Sequence, residues 1–72
     1  MKFEQQVEQA IPVDAKDGFV GCKYSSTDNA CLVVFAPGST NDIKVAKKSL
    51  LKLGWSVEEE KYKGYLVLVV KE

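Results

Sequence analysis

The sequence contains no arginine and no histidine. Without histidine there is no imidazole to act as general base, to complete a nucleophile–base triad, or to ligate a metal. Without arginine there is no planar guanidinium fork to grip a phosphate or the edge of a guanine. Cysteine is scarce: Cys22 and Cys31 allow one disulfide at most, and their spacing matches no metal or redox signature of the C-x-x-C kind. No apolar run approaches the roughly 20 residues that cross a bilayer. The opening, Met1-Lys2-Phe3-Glu4-Gln5-Gln6, is polar and acidic and does not read as a signal peptide. These absences set the expectation of a cytoplasmic protein with free thiols, with no catalytic residues, no metal site, no cofactor and no membrane association.

What is present is a balanced composition. Ten lysines face ten acidic residues in 72 positions, with 46% hydrophobic and 28% charged residues. That is the profile of one small globular domain spanning residues 1–72. A core of this size rarely contributes more than about 3–5 kcal/mol, so tight packing or a second subunit is expected to assist.

Phe3, Val7, Ala10 and Ile11 fall on one face of a helix over residues 3–11, with Glu and Gln on the other face and Pro12 as the stop. Phe3, Val7, Ile11 and Val13 also share odd positions, so a strand fits this segment too. Residues 14–18 read as a turn. They lack the alternating acids and downstream Glu of a calcium loop. Residues 19–24 and 31–36 read as a β-hairpin joined by a polar turn. With Asp28-Asn29 as a two-residue turn, Cys22 pairs with Phe35 and Cys31 with Ser26. The thiols then lie roughly 13 Å apart and form no disulfide. A turn centred on Ser26-Thr27 would instead set Cys22 opposite Cys31. We expect the first register.

The segment after Pro37-Gly38 enters a helix over about 41–53. Ser39, Thr40 or Asn41 can serve as N-cap, Ser39 with Asp42 resembles a capping box, and Gly54 suits the C-terminal end. Ile43, Ala46, Leu50 and Leu53 are expected on the core side. Lys44, Lys47, Lys48 and Lys52 occupy the opposite side, with Leu51 among them. Residues 55–61 form a charged strand with Glu58 and Glu60 on one face and Glu59 on the other. Lys63-Gly64 turns the chain into the apolar strand 65–70. The order is α-β-β-α-β-β: a two-layer α+β domain with a four-stranded, mainly antiparallel sheet and two helices.

Strands 31–35 and 65–70 are apolar at both odd and even positions. A sheet with helices on one side only should alternate, so something is expected to cover the second face. Either the helices sit on opposite faces, or both sit on one and a partner takes the other.

From Cys31 onward the chain resembles the second half of the TusA/SirA-like sulfur-carrier family. The matching features are an apolar strand, Pro37 ahead of Asp42-Ile43, a helix ending at Gly54, and a terminal hairpin ending in Lys71. The family's Cys-Pro-x-Pro motif is absent: Cys22 is followed by Lys23-Tyr24-Ser25. The resemblance therefore implies a cysteine-based carrier without supplying a residue for the role.

The sequence points first to a non-enzymatic protein-interaction module: a subunit, regulator or inhibitor, alone or as a homodimer. Its contacts would be the Lys44, Lys47, Lys48, Leu51 and Lys52 helix face, suited to an acidic protein surface, or an apolar sheet face. A nucleic-acid-binding module using the lysine stripe with Tyr24, Tyr62, Tyr65 and Trp55 is the alternative. Zero net charge and the lack of arginine disfavour it.

Overall fold

The hydrophobic periods of the sequence are realised as four antiparallel strands and two main helices in a computed structural model, which describes residues 2–72. Helix α1 spans Phe3–Ala10 and buries Val7. Its entry is closed by Gln5 Oε1, which accepts the Lys2 backbone N–H at 3.2 Å. A short 3-10 turn, Val13–Ala15, follows Pro12 and buries Ala15. Strands β1 (Phe19–Ser25) and β2 (Ala30–Phe35) form the first hairpin, and helix α2 spans Thr40–Lys52. Strands β3 (Ser56–Tyr62) and β4 (Tyr65–Lys71) close the fold. The sheet order is β1-β2-β4-β3, so the charged strand β3 is an edge, β1 is the other edge, and the apolar strands β2 and β4 are central.

The two helices share one face of the sheet. Val7 and Ile11 from the first segment and Ile43, Ala46 and Leu50 from α2 join Cys31, Val33, Phe35, Val57, Leu68 and Val70 in one core. Phe3, Ala10, Cys22, Trp55 and Leu66 pack at its margin. Of the two arrangements left open by the sequence, the structure adopts the one that leaves the second sheet face bare.

Three details differ from the sequence reading. The first hairpin has neither expected register. Ser25 pairs with Ala30 across a four-residue loop, so Cys22 pairs with Val33 and Cys31 with Tyr24. Side chains hold that loop: the Ser25 hydroxyl donates to Asp28 Oδ2 at 3.2 Å, and the Tyr24 hydroxyl donates to Asn29 Oδ1 at 2.6 Å. Asn29 closes it at φ 56°, a left-handed conformation that Asn tolerates. Second, Leu53 lies outside α2 and is 56% exposed, because the helix ends at Lys52 and the chain turns away through Gly54. Third, Ser39 is the N-cap but makes no side-chain capping bond. Asp42 is engaged elsewhere: its Oδ2 accepts the Gly18 N–H at 2.8 Å and ties α2 to the start of β1.

The second hairpin follows its turn chemistry. Tyr62 pairs with Tyr65, leaving a two-residue loop. Lys63 and Gly64 take φ 50° and 88°. Two successive positive φ values match the right-handed twist of the flanking strands, and glycine adopts the second without strain.

Candidate interaction surface

The bare sheet face is built by alternation. Cys31, Val33 and Phe35 of β2 point to the helices and are fully buried, so Leu32 and Val34 point away. In β4, Leu68 and Val70 are buried beneath the helices, so Val67 and Val69 point away. Strand pairing then aligns these residues in rows across the sheet. One row runs Lys23, Leu32, Val69, Glu58, and the next runs Gly21, Val34, Val67, Glu60. The result is a four-residue aliphatic patch, half-buried only by its own neighbours, with lysine at the β1 edge and two glutamates at the β3 edge. A shallow groove of about 560 Å³ runs over it, bordered by Tyr62 and Lys71. Among the described residues, neither Lys23 nor Glu58 has an ion-pair partner within the chain.

The lysine face of α2 is also at the surface. Lys44, Lys48, Leu51 and Lys52 are exposed, with Leu51 at 48%. Lys47 differs from the others. Its Nζ lies 3.7 Å from Glu59 Oε1, the one glutamate of the run that points toward the helices. Such a surface pair contributes little stability, but it takes Lys47 out of the free stripe.

The four aromatic residues of the nucleic-acid reading do not gather on one surface. Trp55 meets Phe3 edge-to-face at 5.2 Å, beside the core. Tyr24 projects to the helix side of β1, where its hydroxyl is bound to Asn29. Tyr62 and Tyr65 pair at the far end of the bare face. The start of α2 is flanked by Asp17 and Asp42, whose charges oppose an anion there.

The thiols are adjacent, contrary to the expected separation. Cys22 Sγ and Cys31 Sγ lie 2.7 Å apart. Cys22 also donates to the Glu4 carbonyl of α1 at 3.8 Å, which leaves Cys31 as the donor to Cys22. That bond holds the Cys22 thiol below its ordinary pKa, against burial and the Glu8 and Glu4 charges. The same bond, with burial and the facing Cys22, pushes the Cys31 thiol well above it. Both cysteines are free. Among the described residues, no group of three Cys, Asp or Glu side chains is placed to hold a metal ion, and no helix is long and apolar enough to cross a membrane.

The residues of the bare face were not singled out individually from the sequence. Their apolarity was visible, but their alignment into rows depends on the pairing of β2 with β4, which are separated by a helix and a strand. Comparison with protein-family models and with curated proteins finds no match to this chain.

Proposed function

We propose that this chain is a non-enzymatic protein-interaction module, acting as a subunit, regulator or inhibitor, and that the bare sheet face is its contact surface. One observation carries the reading: Leu32, Val34, Val67 and Val69 form a continuous aliphatic patch on the side of the sheet that neither helix covers. Burying such a patch against a protein is favourable by roughly 25 cal/mol for each Å² removed from water. The β3 edge supports the same choice. Strand β3 carries Glu58, Glu59, Glu60 and Lys61, and charge of this kind discourages strand addition. Association through that edge is thereby disfavoured relative to the face. The α2 stripe of Lys44, Lys48, Leu51 and Lys52 sets a single apolar residue among three charged, exposed ones. The nucleic-acid reading gains no support, because the lysine stripe and the tyrosines lie on different surfaces.

The test compares wild type with a Val34→Lys/Val67→Lys variant as bait in source-cell extract, with quantitative mass spectrometry. Circular dichroism checks that the variant folds. Proteins, including this chain itself, should be enriched by wild type and lost with the variant. Indistinguishable profiles from two folded baits would overturn the proposal.

A further inference from the structure

We infer that the occupant of the bare face is a second copy of this chain, packed sheet on sheet about a two-fold axis parallel to the strands. This rests on the reading of that face as the contact surface and names its partner. The argument is the order of side chains within each row. The first row reads Lys23, Leu32, Val69, Glu58 from one edge to the other. A two-fold axis along the strands, midway between two facing sheets, reverses that order in the opposite copy while keeping each row level. Lys23 then faces the partner's Glu58, Leu32 faces the partner's Val69, and each contact occurs twice.

The second row obeys the same operation. Gly21, Val34, Val67 and Glu60 meet Glu60, Val67, Val34 and Gly21 of the other copy. Gly21 has open space over it, since a Cβ built there would meet nothing within 4 Å. The longer Glu60 side chain therefore comes down where no side chain opposes it.

Charge selects this axis over the competing one. A two-fold axis across the strands would stack β3 on β3. Run along the first row, it sets Glu58 on the partner's Glu58 and Lys23 on the partner's Lys23; run between the rows, it sets Glu58 on the partner's Glu60. Like charges so placed are unfavourable. Sheets packed face to face keep their strands within about 30° of each other. The two central rows can therefore stay in register while the outer rows diverge.

The size of the face sets the strength. Four strands about 4.8 Å apart and about seven residues long present roughly 450 Å² per copy. The pair buries about twice that, at the low end of specific interfaces. A reversible dimer with Kd between about 10 µM and 1 mM is expected.

Sedimentation equilibrium of the full chain provides the test, with Lys23→Glu, Glu58→Lys and the double variant. Wild type should dimerise. Each single variant should weaken dimerisation by about tenfold or more, because two like-charge contacts replace two attractive ones. The double variant should return to near the wild-type value. An equimolar mixture of the two single variants should form a heterodimer that neither forms alone, a rescue that misfolded variants would not show. A wild type that stays monomeric throughout this range overturns the second copy. If the Val34→Lys/Val67→Lys bait still loses captured proteins, the interaction-module reading survives that result. Dimers tightened by Glu58→Lys, or indifferent to both charge reversals, overturn the proposed axis.

Discussion

The sulfurs of Cys22 and Cys31 lie 2.7 Å apart although neither residue is the other's cross-strand partner. They are diagonal neighbours: Cys22 pairs with Val33, two residues along β2 from Cys31. Cys31 is fully buried, whereas Cys22 is half-buried beside Glu4 of α1. Alkylation of the native protein should therefore modify Cys22 first and Cys31 only on unfolding, as followed by peptide mass mapping. Diamide, which accepts two hydrogens, should break both S–H bonds and join the sulfurs within one chain, reversibly with dithiothreitol. Equal alkylation rates, or cross-linking only between chains, would contradict this geometry.

The same pair gives stability a pH dependence with a turning point. Cys22 has a depressed pKa, so the unfolded chain binds more protons there. Its contribution rises with pH up to the ordinary thiol value, about 8.5. Cys31 has a raised pKa, so above that value the unfolded chain ionises while the folded one does not, and stability falls. The fall should approach at most about 1.4 kcal/mol per pH unit for one proton. Urea unfolding between about pH 7 and 10 should show the decline, and the Cys22→Ala/Cys31→Ala double variant should remove it. Cys31→Ala alone would leave Cys22 with burial and the Glu8 and Glu4 charges, which raise its pKa. A decline unchanged in the double variant would assign it to other groups.

Gly18 has a steric role that is independent of unusual backbone angles. A Cβ there would lie 2.6 Å from Ser39 Cβ and 2.7 Å from Asp42 Oδ2. Rotating the serine hydroxyl cannot move its Cβ, so the start of α2 would have to shift and strain the Gly18 N–H bond to Asp42. Gly18→Ala should destabilise the fold by about 1–3 kcal/mol, measured by urea denaturation. A variant as stable as wild type would show that this junction yields freely.

Adjacent leucines on α2 should behave oppositely. Leu50 is fully buried, whereas Leu51 is 48% exposed. Leu50→Ala should cost about 2–5 kcal/mol through lost burial and the cavity left behind. Leu51→Ala should change stability by less than about 0.5 kcal/mol. Thermal unfolding of the two variants distinguishes them, and similar losses would contradict the observed helix orientation.

Much of the fold was legible because periodicity and turn chemistry are local. The helix from Thr40, the Lys63-Gly64 turn and the placement of Glu59 opposite Glu58 and Glu60 follow from neighbours within a few residues. The first hairpin register did not, because two-residue and four-residue loops use the same polar residues. The choice rested on bonds among Tyr24, Ser25, Asp28 and Asn29. Leu53 was misplaced because its helical phase was right but the helix had already ended. The surface was half legible. Strands apolar at every position signalled a second face that needs a cover but left open whether a helix or a partner supplies it, while the row joining Lys23 to Glu58 spans all four strands and requires the complete strand order.

The most direct test of the sheet face as the contact surface is isotope-filtered NMR on an equal mixture of labelled and unlabelled chain at high concentration. The account predicts intermolecular NOEs between the methyl groups of Leu32 and Val69, and between those of Val34 and Val67. Intermolecular NOEs confined to Leu51 and Leu53 at the α2 end, with none from the sheet face, would contradict it.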